Sequence, residues 1–302
     1  MSMPTLTYEA AAAQTAALGR WSDYLELAKP KIALLVLLTV AAAAVVANWG
    51  PPDAPLLAHT LVGTALVAAS ASAFNQWLER EPDARMARTE LRPLPAGRLA
   101  ARQVSSFGML TLAAGLAQLG LFVRWQTLVA AGATWFVYVC LYTPLKSRTS
   151  ANTAVGAVAG ALPVLLGWTA VGAPLDVRAL CLFTIVFLWQ FPHFMAIAWI
   201  YRHDYAAAGM QMLTVVDASG RRAGAQAVVA ALALLPVSLL PAVLHAAGGV
   251  YFGWALALGL VQLAAAAAFL LRLDESSAKL LLTASLIYLP AVMGLLIMGP
   301  IV

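Results

Sequence analysis

An all-α protein crossing a membrane about nine times is what this sequence predicts, on three observations: its composition, the length of its apolar runs and the placement of its positive charge. Of its 302 residues, 62% are hydrophobic and only 10% charged, against roughly 25% charged in a soluble globular chain. Mean hydropathy is +0.84. A water-soluble domain is excluded. Apolar stretches follow one another from Ile32 to Val302 without a polar block long enough for a core of its own. The chain therefore reads as one membrane-embedded domain over residues 1–302, with 1–22 a flexible cytoplasmic N-terminus.

Windows of about 18 to 23 apolar residues can each cross about 30 Å of hydrocarbon. They fall at approximately 32–49, 57–78, 105–123, 126–144, 153–171, 179–200, 225–244, 251–271 and 280–299, separated by short Pro, Gly or charged punctuation. With the N-terminus in the cytoplasm, every Lys and Arg except Arg124 and Arg178 lies inside. The opposite orientation would invert the positive-inside tendency. Nine crossings then make the C-terminus periplasmic, with the bacterial inner membrane as the expected location.

The net charge of +5 does not mark a nucleic-acid partner, because the cations sit in loops on one side of a membrane and form no continuous face. Cys140 and Cys181 lie inside apolar runs without CxxC spacing and read as packing residues. The first 30 residues contain Glu9, Asp23 and Glu26 and no apolar core before a small-residue cleavage site, so neither a signal peptide nor a transit peptide is expected.

The two longest polar connections, about 79–104 and 201–224, both fall on the cytoplasmic side. Each follows an even-numbered helix, as two four-helix repeats plus a terminal helix would arrange them. In the first, Asn75, Glu79 and Asp83 recur every four residues, which puts them on one face of a continuous helix. Pro82 interrupts that helix, so the one-face argument is firm for Asn75 and Glu79 and leaves Asp83 on a kink or in the loop. Carboxylates and a carboxamide at a membrane surface suit Mg²⁺, which takes one or two protein oxygens and completes its octahedron with water and phosphate. Arg85, Arg88, Arg92 and Arg98 follow, and guanidinium forks bind phosphate oxygens bidentately. A solvated positive-inside loop has the same composition.

In the second connection Tyr201, Asp204 and Tyr205 lie just below a helix carrying Gln190, Pro192 and His193. Asp204 is the candidate second metal carboxylate, or else a cap. Polar groups within a span face a cavity or a partner, so Gln190 and His193 read as acceptor contacts or as interhelical hydrogen bonds. Lys146 and Arg148 stand at the cytoplasmic edge of a third cluster, followed by Gly156, Gly160 and Ala161, which permit close helix approach.

Read together, DYLELAKPK at 23–31, the NxxxExxxD block with MARTxxRPLPAGR, LYTPLKSRTSAN at 141–152, and FLWQFPHFMAIAW followed by DYxxAGMQML resemble the UbiA-type family of intramembrane prenyltransferases, in its haem-farnesylating branch. Glu79 replaces the Asp usual in the first motif and keeps the charge. A complete second DxxxD is absent, since Ile200 stands four residues before Asp204. The resemblance implies a UbiA-type helical bundle and transfer of the farnesyl group of farnesyl diphosphate to a vinyl group of haem b, giving haem O. It implies Asn75, Glu79, Asp83 and Asp204 as catalytic Mg²⁺ ligands, and Arg88, Arg92, Lys146, Arg148, Gln190, His193, Tyr201 and Tyr205 as substrate contacts. Haem A synthase or a terminal oxidase assembly would be the downstream partner.

Two other readings remain open. The same chemistry on an aromatic quinone precursor would keep the cytoplasmic carboxylates. A transporter would need charges along a continuous path, whereas the last three spans contain no Asp, Glu, Lys or Arg.

Overall fold

The structure, a computed structural model, describes residues 20–244 and 248–298. Among them there is no strand, and nine helices are long and apolar enough to cross a membrane: α1 (Pro30–Asn48), α2 (Ala54–Leu78), α3 (Ala101–Phe122), α4 (Trp125–Leu145), α5 (Asn152–Ala170), α6 (Val177–Ile200), α7 (Arg221–Leu244), α8 (Gly248–Arg272) and α9 (Glu275–Met298). Each agrees with its sequence window to within a few residues. Of the N-terminal segment, residues 1–19 lie outside the described residues. Trp21 and Ser22, expected in that flexible stretch, already belong to a short helix, Trp21–Ala28, where the Asp23 side chain accepts from the Arg20 N–H at 3.1 Å.

Each long helix touches its neighbours in sequence, and α9 returns to pack on α1 and α6. The largest core joins α1, α5, α6 and α9 through Val46, Trp168, Ile185, Trp189 and Met293. Outward-facing residues such as Leu110, Leu121, Val229 and Leu271 are largely exposed; on a membrane protein such a surface meets lipid, where helical backbone is already satisfied by its own hydrogen bonds. Cys181 is buried as a packing residue should be. Cys140 is exposed, because only one stripe of α4 faces other helices.

Two glycines of α5 set the spacing that matters for the site. A Cβ at Gly156 would stand 2.6 Å from the Tyr142 ring, and one at Gly160 would stand 2.1 Å from Gln190 Oε1. Only hydrogen in place of Cβ lets these side chains seat against the helix.

Candidate functional site at one end of the first four helices

The last turns of α2 carry Asn75, and the chain then continues through Glu79 into one further turn, Arg80–Asp83. The Glu79 N–H donates to the Asn75 carbonyl at 2.9 Å and the Asp83 N–H to the Glu79 carbonyl at 2.7 Å. The four-residue spacing therefore survives Pro82, which occupies a first-turn position where its missing N–H is tolerated. All three side chains are buried, Asp83 completely.

Each member of this row meets a different partner. Lys29 Nζ donates to Asn75 Oδ1 at 3.2 Å, and Asn75 Nδ2 donates to Thr143 Oγ1 at 3.3 Å. Lys146 Nζ lies 2.8 Å from Glu79 Oε1, and Arg92 Nη1 lies 2.6 Å from Asp83 Oδ2. Asp83 Oδ1 has no hydrogen bond although it is buried. Such an orphaned carboxylate oxygen is costly unless a ligand completes it.

Local backbone chemistry delivers the cations. Lys29 adopts a left-handed conformation (φ 49°) between the short N-terminal helix and α1, and Pro30 opens α1 at its first position. Lys146 follows a π-helical turn, Val137–Tyr142, inside α4, a distortion that often marks functional sites. Its amine lies over the Tyr142 ring, 4.6 Å from the centroid. Arg92 is brought back by the loop, which Thr89 ties down by donating to the Asp83 carbonyl at 2.8 Å.

Burial disfavours the charged amine of Lys29, and repulsion from Arg92 and Lys146 adds to this, bringing it down to about 7. Burial also pushes the Asp83 carboxyl above its ordinary value against the pull of Arg92. For Lys146 burial opposes the charge, but the Glu79 carboxylate together with Tyr142 and Tyr138 outweighs it and holds the amine well above its ordinary value.

A cavity of about 220 Å³ opens beside this row, lined by Glu79, Thr143, Lys146, Arg148 and Met210 among others. The second long polar connection closes over it through Met210. Arg88 stacks on the Tyr201 ring at 4.4 Å and the Tyr205 ring at 5.4 Å, and its Nη2 donates to Tyr205 Oη at 3.3 Å. The Gln211 N–H donates to the Lys146 carbonyl at 2.6 Å, and Asn152 Nδ2 donates to the Gln211 carbonyl at 3.2 Å.

Not every expected residue joins the cluster. Asp204 lies in the first turn of the short helix Arg202–Ala207, beside the tyrosines that hold Arg88, and forms no ion pair with the clustered cations. Gln190 is used between helices: its Nε2 donates to the Ala157 carbonyl at 2.8 Å and the Val186 carbonyl at 3.1 Å. His193 sits two turns inside α6, bonded to Ser285 of α9. Arg98 turns away from the row to clasp Asp23 and Glu26. Conversely, Lys29 and Thr143 were not singled out by sequence; the Lys-Pro corner after a short amphipathic segment is the signal that marks Lys29.

Among the described residues no group of three or more His, Cys, Asp or Glu side chains forms a metal cage. The arrangement instead offers two carboxylates and a carboxamide ringed by cations, the donor set of an ion shared with a bound phosphate. The UbiA prenyltransferase family model matches residues 36–289. The chain belongs to that family. This family member is 42% identical over 285 residues to a protoheme IX farnesyltransferase of Solibacter usitatus, covering 91% of this chain and 98% of that one. It is also 42% identical over 271 residues to one of Myxococcus xanthus, covering 89% and 91%. Its fold is similar to that of a digeranylgeranylglyceryl phosphate synthase (TM-score 0.77, 18% identity, 93% of this chain and 98% of that chain). A UbiA homologue from Archaeoglobus fulgidus bound to DMAPP and Mg²⁺ superposes with TM-score 0.68 at 16% identity over 90% of this chain and 99% of that chain.

Proposed function

We propose that this UbiA-family prenyltransferase moves the farnesyl group of farnesyl diphosphate onto a vinyl group of haem b, producing haem O and diphosphate. The observation that carries the chemistry is the buried Asn75–Glu79–Asp83 row, whose members contact Lys29, Lys146 and Arg92 in turn, beside a cavity lined by Glu79, Lys146 and Arg148. The farnesylating relatives, which align with nine-tenths of the chain, support haem as the acceptor.

Asp83 and Glu79, with Asn75, would hold Mg²⁺; the orphaned Asp83 Oδ1 fits a metal-facing oxygen. When bound, the ion would neutralise charge developing on the leaving diphosphate. Lys29, Arg92 and Lys146, joined by Arg88 and Arg148 at the rim, hold the diphosphate oxygens in place. The C1–O bond of the farnesyl group breaks with its electron pair departing on diphosphate, and these fixed cations stabilise that charge as it grows. The allylic carbon is attacked by the terminal vinyl carbon, which forms the new C–C bond. The positive charge left next to the porphyrin ring is quenched by water, which adds its oxygen and releases a proton, leaving a hydroxyethylfarnesyl group. The helices around the chamber exclude other water from the cation.

The positive-inside distribution supports a multi-pass protein of the bacterial inner membrane with this site on the cytoplasmic side. A haem A synthase or a terminal oxidase assembly is the class of partner that would take the product.

Incubation of purified protein with haem b, farnesyl diphosphate and Mg²⁺, followed by mass spectrometry of the extracted haem, tests the assignment. A product carrying farnesyl plus water, lost with EDTA and in Asp83→Asn, is the expected result. Absence of that product alongside prenylation of an aromatic quinone precursor would overturn haem as the acceptor.

A further inference from the structure

The Arg98 guanidinium pairs with carboxylates outside the acidic row. Its Nη1 donates to Asp23 Oδ1, and its Nη2 donates both to Glu26 Oε2 at 2.6 Å and to the Leu91 carbonyl at 2.8 Å. One side chain thus joins the first long polar connection, at the residue before Arg92, to the short helix Trp21–Ala28 that leads into Lys29. The connection is folded back for this contact by Gly97, at φ 70°, and by the Leu99 N–H, which donates to the Pro93 carbonyl at 2.9 Å. The Asp23 side chain is nearly buried, and its second oxygen accepts from the Arg20 N–H at 3.1 Å.

This joint bears directly on Lys29. A helix of eight residues is too short to hold its shape alone, and Lys29 at its end has φ 49°, a left-handed conformation that a residue with a side chain keeps only where its surroundings fix it. Three anchors supply that constraint. Leu27 is completely buried against Ala73, Leu99 and Val104, Gln76 Nε2 donates to the Leu27 carbonyl at 2.9 Å, and Arg98 holds Asp23 and Glu26. The Lys29 N–H donates to the Glu26 carbonyl at 3.2 Å, so the residue that Arg98 grips by its side chain is the one that grips Lys29 by its backbone. From there Lys29 Nζ reaches Asn75 Oδ1 at 3.2 Å. On the other side of the guanidinium, Leu91 precedes Arg92, which pairs with Asp83. The two cations come to the row from separate segments of chain, and Arg98 bridges those segments.

We propose that Arg98 is a positioning residue for diphosphate binding: by bracing Asp23 and Glu26 against the Leu91 carbonyl, it holds Lys29 Nζ at Asn75, where the amine meets a diphosphate oxygen. The inference rests on the reading of the Asn75–Glu79–Asp83 row as the diphosphate site and is independent of the acceptor. Arg98 itself contacts no substrate, because both of its Nη nitrogens are engaged by the protein. Without the brace, the nearly buried Asp23 carboxylate is left without its cation, which drives the short helix toward water and carries Lys29 away from the row. An ion pair with a partly exposed arginine contributes little to overall stability, so the loss falls on the placement of Lys29 rather than on the fold.

The test is calorimetry of inorganic diphosphate with Mg²⁺ binding to the full chain in nanodiscs. Arg98→Ala should weaken diphosphate about tenfold, the scale of one charge-assisted contact, and Lys29→Met should weaken it at least as much. In the Lys29→Met background, Arg98→Ala should change binding by less than about twofold, because the group it positions is gone. Independent effects would multiply to about a hundredfold, and that result overturns the proposal. Arg102→Ala removes a charge from the same stretch and leaves the brace intact, so binding should stay within about twofold of wild type. A loss there as large as that of Arg98→Ala would mean that the charge of the segment sets the affinity, and would overturn the proposal. Glu26→Gln spares the Asp23 pair and keeps the proposal open to test if Arg98→Ala does not fold. It should weaken diphosphate about threefold in the wild-type background and not in Lys29→Met; an equal loss in both overturns the proposal. If wild-type protein binds diphosphate but the losses simply multiply, this inference alone falls. If wild-type protein does not bind diphosphate, the reading of the row falls and takes the inference with it.

Discussion

Lys146 Nζ stands 2.8 Å from Glu79 Oε1, joining the C-terminal end of α4 to that of α2. Both groups are largely buried, so each depends on the other for its charge. The pair faces a cavity wide enough for an anion, and an arriving diphosphate would compete with Glu79 for the amine while freeing a carboxylate oxygen for a metal. On the proposed reading Lys146 would serve both as a structural partner of Glu79 and as a ligand of the diphosphate.

Lys146→Met should cut kcat/KM for farnesyl diphosphate by at least about 100-fold, since it removes a fixed cation and strands a buried carboxylate. Adding Glu79→Gln to it should restore thermal stability in detergent without restoring activity. Recovery of activity in the double variant would show that Lys146 acts only by neutralising Glu79.

Asp83→Asn keeps the volume and removes the charge that pairs with Arg92 and the oxygen that has no hydrogen bond. Turnover should fall by about 100-fold or more, the scale of losing electrostatic stabilisation of a leaving group. The Mg²⁺ concentration for half-maximal rate should rise in parallel, as a metal titration would read. Unchanged metal dependence would remove Asp83 from the metal site.

Lys29 is brought down to about 7 by burial and by its cationic neighbours. Its folded value lies below its ordinary one, so its contribution to stability is complete only above the ordinary value, near pH 10.5, and is lost as pH falls through 7. A bound diphosphate reverses that environment and favours the charged amine, so binding near pH 8 should draw in a proton. Calorimetry of inorganic diphosphate binding in buffers of different ionisation enthalpy measures that uptake. Lys29→Arg, charged before and after binding, should take up less; equal uptake would clear Lys29 of the role.

How much of this was legible follows from what sequence spacing can encode. The nine spans were readable because length and apolarity are local properties, and Asn75 and Glu79 because they repeat at helical period. Asp83 was ambiguous because Pro82 lacks the N–H of a continuous helix, yet it falls in a first turn where that loss is tolerated. Lys29 meets Asn75 across 46 residues, a separation that no periodicity encodes. Arg98 resembled its neighbours in composition, and only the folded chain shows it spent on Asp23 and Glu26. Gln190 looked like a polar contact in a span, and proves to answer the small residues of α5.

That last relationship predicts an effect on stability rather than chemistry. Gly160→Ala would put a Cβ 2.1 Å from Gln190 Oε1, forcing the amide out of its bonds to Ala157 and Val186. Overpacking of this kind costs about 1–3 kcal/mol, so the melting temperature in detergent should fall while the KM for diphosphate is unchanged. Pairing it with Gln190→Ala should recover part of the loss, because the clashing amide is gone.

Arg88 ties the two long polar connections together through a pair of rings, and the two tyrosines do not contribute equally. Tyr201 offers only its face, at 4.4 Å, while Tyr205 adds a hydroxyl that accepts from Nη2 at 3.3 Å to a ring at 5.4 Å. Stacking on an aromatic face contributes roughly 0.5–2 kcal/mol, whereas a long hydrogen bond at an exposed guanidinium contributes little. Tyr201→Leu should therefore raise the KM for farnesyl diphosphate by about three- to tenfold, and Tyr205→Phe by less than about twofold. Steady-state kinetics of the two variants decide the matter: a larger effect from Tyr205→Phe would mean that the hydroxyl, not the stacked rings, orients Arg88 toward the diphosphate.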